Sequence, residues 1–240
     1  MGRHGTIAGR KSAQDNKRAQ IFTKYSRLIT VAAKAGGDPD YNFALKNAIE
    51  KAKAINMPND NIIRSIKKGT GELAGEIYEE ESFEGYGPGG VAIIVDVLTD
   101  NKNRTTSSVR HAFDKCNGNL GTAGCVSYMF SRKGIIDIEK ADGIEEDVLM
   151  EAALEAGADD FVTEEDYYEI ITDPSAFQDV SSALRAAGYE LAEAEVEYVP
   201  SVEATPSEQD QKNLCKLLEM LEEDDDVQNV YHNCAVELDY

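Results

Sequence analysis

Positively charged side chains are concentrated in the first 70 residues of this 240-residue chain. That segment holds 14 Lys and Arg against five Asp and Glu, a net charge of +9, although the whole chain carries −21. A Lys or Arg that neutralises a phosphate releases condensed counterions, so clustered basic side chains suit a nucleic-acid backbone. The sequence therefore predicts a phosphate-binding surface. The residues assigned to it are Arg3, His4, Arg10, Lys11, Lys17, Arg18, Lys24, Arg27, Lys34, Lys67 and Lys68.

Four of these side chains are expected on one face of the first helix. At about 100° per residue, Lys17, Lys24, Arg27 and Lys34 fall within an arc of roughly 100° beside its apolar stripe. The alternative is a solvated basic surface without a ligand. Residues 71–240 carry a net −30, but charges beyond a Debye length of about 8 Å are screened at physiological salt. The acidic remainder therefore does not exclude a phosphate held at the basic end.

A glycine-rich segment, Gly85-Tyr86-Gly87-Pro88-Gly89-Gly90, has the G-x-G-x-x-G spacing of a dinucleotide-binding loop. The residues that follow, Val91 to Val95, are apolar and mostly β-branched, which indicates a strand instead of a phosphate-binding helix N-terminus. We predict a loop between strands, with a nucleotide-using enzyme as the remote alternative. Because glycines leave few side chains in the way, the backbone of this loop could closely approach a large partner.

A second basic group follows the next strand, where Lys102 and Arg104 lie in Thr99-Asp100-Asn101-Lys102-Asn103-Arg104. Ordinary helix capping and a second contact with the partner both explain this segment. His111 has no Ser, Cys or carboxylate at triad-like spacing. The four cysteines form no C-x-x-C pair, so we expect reduced thiols. We predict no cofactor, no metal and no enzymatic activity.

Helical periodicity governs the first part of the chain. A first helix is expected to start with a cap at Asp15 or Asn16, after a flexible basic lead, and to stop at Gly36-Gly37-Asp38-Pro39. A second helix is predicted over 42–55 and a third from about 59 to 69. These three helices would form a small bundle in a basic domain of residues 1–75.

The periodicity changes after Ile77, where strands and helices alternate. The predicted strands are 91–98, 126–130, 134–139, 160–163, 167–172, 191–198 and 227–236, and the predicted helices are 104–116, 145–156, 176–187 and 207–223. Residues 132–204 read β-α-β-β-α-β, a ferredoxin-like order. The fold class is therefore α+β, and this unit is expected to be inserted into a discontinuous α+β domain of residues 76–131 and 205–240.

Hydropathy and charge also bear on localisation. No window approaches the roughly 18 apolar residues of a membrane span, and the N-terminus carries no apolar region typical of a secretory signal. We therefore expect an acidic, soluble, cytoplasmic protein without a membrane partner or a small-molecule substrate.

Several segments together resemble the YebC family. They include Gly36-Gly37-Asp38-Pro39, Asn56-Met57-Pro58, Glu84 to Gly90, Asp100 to Thr105, Val109-Arg110-His111-Ala112-Phe113, Gly118-Asn119-Leu120-Gly121 and Asp226 to Asn233. Many members begin Gly-His-Ser-Lys-Trp, whereas this chain reads Gly2-Arg3-His4-Gly5-Thr6, so a role for that Trp does not transfer. The resemblance implies three domains and a non-enzymatic protein that acts on gene expression.

The resemblance leaves two partners open. Some members are described as binding promoter DNA, which implies a DNA-binding transcriptional regulator that contacts phosphates through its basic N-terminal domain. Others are described as ribosome-associated translation factors that relieve stalling at proline-rich stretches. In that alternative, the ribosomal RNA contacts implied beyond the basic end are Tyr86, Gly87, Pro88, Gly89, Lys102 and Arg104. No helix offers an evident set of base-reading side chains, so the residues themselves slightly favour the ribosome.

Overall fold

The computed structural model describes residues 3–141 and 143–238, with side chains described from residue 18 onward. The chain divides into two compact units, one running up to Ser127 and resuming at Glu203, and the other spanning Tyr128–Val202. The second unit is thus inserted between two parts of the first. The further separation of residues 1–75 as a domain of their own stays a prediction.

Seven α-helices and eight strands make up the described chain. The helices are α1 Arg3–Ala32, α2 Phe43–Ala54, α3 Asn59–Gly69, α4 Lys102–Lys115, α5 Glu146–Ala156, α6 Phe177–Ala186 and α7 Glu208–Glu222. The strands are β1 Glu79–Tyr86, β2 Ala92–Thr99, β3 Asn119–Leu120, β4 Phe130–Glu139, β5 Asp160–Thr163, β6 Tyr167–Thr172, β7 Glu193–Pro200 and β8 Val227–His232. The predicted α+β class is confirmed.

The three N-terminal helices enclose an apolar core of their own. Its fully buried side chains include Ile29 and Leu45. The α2 helix begins where the Asn42 side chain accepts a hydrogen bond from the Leu45 N–H, and α1 ends before the predicted glycine stop. The predicted start of α1 was wrong, because the helix already begins at Arg3. The lead contains no proline, and an internal glycine costs a helix only about 1 kcal/mol.

The sheet of the first unit has the antiparallel order β3-β1-β2-β8. Its buried residues form one core with α4 and α7, and the largest fully buried side chain is Phe113. Strand β2 is buried along almost its whole length, which explains its mostly apolar sequence, and the half-buried Asp96 interrupts it. The segment between β7 and α7 leads from the inserted unit back into the first unit, which the chain leaves after Ser127 and re-enters at Glu203.

The second unit has the order β5-β6-β4-β7, which is the ferredoxin-like arrangement predicted for it. Ile136 and Ile138 of β4 are fully buried, as are Leu149 of α5 and Leu184 of α6. Alternate residues of β4 point to opposite sides of the sheet, so the intervening Asp137 lies on the other face.

Three strand predictions differ from the structure. The two-residue strand β3, Asn119–Leu120, was not predicted. Strand β1 was not predicted, because its first residues, Glu79-Glu80-Glu81, read as a solvated acidic run. The strand predicted over 126–130 was wrong, since residues 127–129 form a short 3-10 turn. The Glu84 carboxylate accepts hydrogen bonds from the N–H groups of Gly124, Val126 and Ser127, at 2.8–2.9 Å, so these donors do not enter a strand ladder.

Hydropathy adds one finding on the described helices. None of them combines the length and the apolar character that crossing a lipid bilayer would demand.

Candidate nucleic-acid interface

The predicted phosphate-binding residues fall into three structural groups. The side chains of Arg3, His4, Arg10, Lys11 and Lys17 lie outside the described residues, although their backbone belongs to α1. A second group is exposed, and a third binds other parts of the protein.

Arg18 and Lys67 represent the exposed group. The Arg18 guanidinium stacks over the Phe22 ring at 5.3 Å, and Lys67 lies on the last turn of α3. The predicted Lys68 is half-buried, and a Cβ added at Gly75 would lie 3.2–3.3 Å from its aliphatic stem. Long basic side chains commonly bury the stem and leave the charge in water.

Three further exposed basic residues were missed by sequence reasoning. They are Lys46 and Lys53 on α2 and Arg64 on α3. Lys46 and Lys53 are seven residues apart, which is close to two helical turns and places both on one side of α2. That spacing is visible in the sequence, although the apolar face of α2 carries the stronger periodic signal.

The third group comprises Lys24, Arg27 and Lys34, which we call the basic helix face. Lys24 Nζ donates to the Glu222 carbonyl at 2.6 Å, and Lys34 Nζ donates to the Tyr78 carbonyl at 2.7 Å. Both lysines therefore form hydrogen bonds within the first unit. Burial lowers the pKa of Lys24, although the carboxylates of Glu222 and its neighbours act in the opposite direction.

Arg27 makes several contacts within the protein. Its side chain is 12% exposed, its Nη1 donates to the carbonyls of Asp225 at 2.6 Å and Leu98 at 3.2 Å, and it forms an ion pair with Asp226. The guanidinium also lies over the Tyr78 ring, 5.2 Å from its centroid. Lys24, Arg27 and Lys34, which the sequence assigned to phosphate, thus bind oxygen atoms of the protein itself. Those contacts depend on the tertiary structure and cannot be read from the sequence.

The partner of Arg27 is a buried carboxylate. The Asp226 side chain is only 4% exposed and also accepts hydrogen bonds from Arg104 at 2.8 Å, Thr105 at 2.6 Å and Thr99 at 3.1 Å. Burial by itself would raise the pKa of Asp226, but the hydrogen bonds from Thr105, Arg104 and Arg27 outweigh burial and lower it. Asp226 is therefore a fully bonded anion that joins α1, α4 and the loop after α7.

Arg104 binds both Asp226 in this cluster and Asp100, which lies just before α4. It donates to Asp100 at 2.7 Å, and its hydrogen bonds to Asp226 and Asp100 raise its pKa. The side chain is 51% exposed, so one side of the guanidinium still faces solvent. Lys102 is ion-paired with Glu81, and the Asn101 side chain caps α4 by accepting from the Arg104 N–H. Both explanations of this segment, capping and partner contact, fit that geometry.

The glycine-rich loop is packed against its own protein. Gly87 and Pro88 are buried, and a Cβ added at Gly87 would lie 2.7 Å from Ile93. Gly89 adopts a φ of +71°, and a Cβ there would lie 2.6 Å from Pro206. Tyr86 is half-buried and donates its hydroxyl to the Cys125 carbonyl at 3.2 Å. Gly87 and Gly89 therefore allow close packing against α7 and against Pro206 just before it, and within this loop Gly89 and Gly90 are exposed.

A cleft of about 400 Å³ opens beside the Asp226 cluster. Charged side chains of both signs line it, including Arg27, Arg104 and Asp224. Over the part of the chain that the structure describes, no three His, Cys, Asp or Glu side chains are grouped as metal ligands.

These features define a class before any relative is considered: an α+β protein with a basic helical N-terminus, an antiparallel sheet and an inserted ferredoxin-like unit. Residues 3–72 match the family model of the TACO1/YebC protein N-terminal domain, and residues 78–234 match that of the TACO1/YebC second and third domain. The chain belongs to the TACO1/YebC family.

Individual relatives agree with this assignment. A probable transcriptional regulatory protein of Clostridioides difficile is 60% identical, over 99% of this chain and all of the relative. One of the same description from Geobacter sulfurreducens is 54% identical, over 95% of this chain and 92% of the relative. A conserved hypothetical protein of Aquifex aeolicus, known from a crystal structure, is 44% identical with a TM-score of 0.81, over 93% of this chain and 92% of that one.

Proposed function

We propose that this chain is a non-enzymatic regulator of gene expression that binds nucleic-acid phosphates through helices α1–α3. The observation that carries the proposal is the exposure of Arg18, Lys46, Lys53, Arg64 and Lys67 on these helices. Basic side chains on a helical surface neutralise phosphates and release counterions whatever the base sequence. The names of the relatives support a role in regulation, and DNA is the partner those names favour.

Ribosomal RNA is the second candidate partner. The exposed residues of α1–α3 that support it are Lys and Arg, which bind phosphates without reading the edges of bases. A protein that recognises folded RNA by shape and backbone needs only such contacts. Lys102 and Arg104 would be its more remote contacts, whereas Tyr86, Gly87 and Pro88 are engaged in internal packing.

A pair of charge reversals tests phosphate binding. The variant Lys46→Glu with Lys53→Glu should weaken binding to a fluorescent 20-base-pair DNA duplex and to an RNA hairpin. It should also flatten the dependence of log affinity on log salt by roughly two units, about one per lost contact. The matched control is Lys212→Glu with Lys216→Glu, an equal charge change at exposed positions of α7. Equal losses in both variants would contradict this interface.

Partner choice needs a cellular measurement. Cosedimentation of the protein with ribosomes in lysate, compared with its crosslinking to chromosomal DNA, separates the two candidates. Recovery on ribosomes at moderate salt would favour the translation factor, and recovery on chromosomal DNA alone would favour the transcriptional regulator.

A further inference from the structure

Two residues of the basic helix face, Lys24 and Arg27, are bound by a short acidic stretch of the same chain. This acidic segment, Glu222 to Asp226, supplies five consecutive carboxylate residues at the end of α7. Successive turns of α1 reach it, because Gln20 donates to the Glu223 carbonyl at 3.4 Å while Lys24 and Arg27 make the contacts described above. Gln20, Lys24 and Arg27 thus already have acceptors within the protein.

We infer that the acidic segment is an autoinhibitory ligand that stands in for nucleic-acid phosphate on α1. This inference rests on the proposed function. Asp226 offers the Arg27 guanidinium an anionic oxygen, as a phosphate would, and neutral main-chain carbonyls accept the other hydrogen bonds of Lys24 and Arg27. A polyanion that binds Lys24 and Arg27 must first displace the acidic segment, so the protein has a closed state with α1 docked and an open state with α1 free.

The joint between α1 and the sheet is polar, as a reversible contact requires. The apolar core of α1–α3 and the core around Phe113 share no residue. Their connection, residues 70–77, is exposed throughout and has no helix or strand. Polar interfaces that exchange with water are more easily opened than apolar ones, whose separation exposes hydrophobic area.

Asp226 is the side chain that holds the closed state. The other acceptors of Gln20, Lys24 and Arg27 in this segment are main-chain carbonyls, which substitution does not remove. Asp226 contributes a buried charge, and Arg27 and Arg104 both converge on it. Without that charge, two guanidinium groups would face each other with reduced compensation, which favours the open state.

The size of the effect follows from the closed fraction. If one molecule in about ten to thirty is open, apparent affinity for nucleic acid is reduced by about the same factor. The variant Asp226→Asn should therefore bind the RNA hairpin and DNA duplex about ten- to thirtyfold more tightly than the wild type. Its log–log salt slope should steepen by about two, because Lys24 and Arg27 join the interface.

The matched control is Asp225→Asn, which changes net charge equally at the adjacent position. The Asp225 side chain is exposed, and Arg27 binds only its main-chain carbonyl. The control should tighten binding by less than about twofold. Equal behaviour of the two variants, with the wild type still binding, would overturn autoinhibition and leave the proposed function intact. Absence of binding in the wild type and both variants would overturn both.

A crosslink tests the same inference with Asp226 left in place. Gln20→Cys and Glu223→Cys, in a background with serine at Cys125, Cys215 and Cys234, can be joined by a short bismaleimide, since Gln20 already reaches residue 223. The joined protein should bind at least about fivefold more weakly than the same protein capped with N-ethylmaleimide. Equal affinities would show that α1 need not leave the acidic segment, and would overturn the inference even if Asp226→Asn fails to fold.

Discussion

Asp137 in the ferredoxin-like unit is expected to destabilise the protein at neutral pH. It lies on the sheet face opposite α5 and α6, directly across from Glu169 on β6 and Glu193 on β7. Burial, and then the charges of Glu169, Glu193 and Glu197, raise its pKa to about 6. Its Oδ1 is buried with no hydrogen-bond partner among the described residues.

Two lysines of this region are bound elsewhere. Lys140, which lines a cleft together with Asp137, donates to the Glu164 carbonyl. Lys133 forms an ion pair with Asp159 at 2.9 Å. The carboxylate of Asp137 therefore experiences mainly like charge, and we expect Asp137→Asn to stabilise the protein at pH 7.5.

The sign and size follow from proton linkage. The pKa of Asp137 is near 6 in the folded protein and about 3.9 in an unfolded chain, so the folded state binds more protons between these values. Its contribution to stability is thus favourable at acid pH and is lost as pH rises through 6. Two pKa units correspond to at most about 3 kcal/mol, and we discount this to about 1–2 kcal/mol because the side chain is partly exposed.

Differential scanning calorimetry at pH 4, 5, 6 and 7.5 measures the effect. A gain of 1–2 kcal/mol corresponds to a rise in Tm of about 3–6 °C at pH 7.5, and the gain should shrink towards zero near pH 4. The control Glu151→Gln, at an exposed position of α5, should change Tm little at any pH. A variant that is no more stable than wild type at pH 7.5, or whose gain does not change with pH, would refute this reasoning.

Two further substitutions probe close packing and a charged anchor. Gly134→Ala would place a Cβ 2.2 Å from Thr172 Oγ1. Urea denaturation should therefore show that it lowers the free energy of unfolding by about 1–3 kcal/mol. Ser131→Ala, at an exposed position of the same strand, should change the free energy of unfolding by no more than about 0.5 kcal/mol. Glu84→Gln weakens three hydrogen bonds from main-chain N–H groups and should cost about 1–3 kcal/mol at pH 7. Burial opposes those bonds, but they prevail and lower the pKa of Glu84, so the cost should diminish as pH falls below about 4.5 in the same assay; a cost independent of pH would contradict this role.

Local patterns predicted the elements best where hydrophobic period and punctuation agreed. The α3 helix begins after Pro58 and ends at Gly69, as expected from the apolar spacing and the closing glycine. The β-α-β-β-α-β order of the inserted unit was predictable for the same reason. Strand β1 could not be found in this way, since its first residues are acidic and its stability comes from pairing with β2 along its whole length.

The candidate interface was less accessible to sequence reasoning. A basic face on α1 can be read from helical spacing, but the identity of the oxygens that it contacts cannot. Arg27 and Asp226 are separated by 199 residues, and only the closing of strand β8 onto β2 brings them together. In the same way, the glycines of residues 85–90 indicated a loop, whereas its packing against Pro206 depended on where α7 returns to the sheet.

The sequence by itself determined the α+β class, the family and the segregation of charge, with a net +9 in residues 1–70 and −30 in the remainder. These properties are local or additive, so they can be counted and matched along the chain. Tertiary structure alone decided that part of the basic surface binds the protein's own acidic segment. That pairing depends on distances of a few ångströms between residues far apart in sequence, and at such distances direct hydrogen bonds replace the screened attraction that net charge describes.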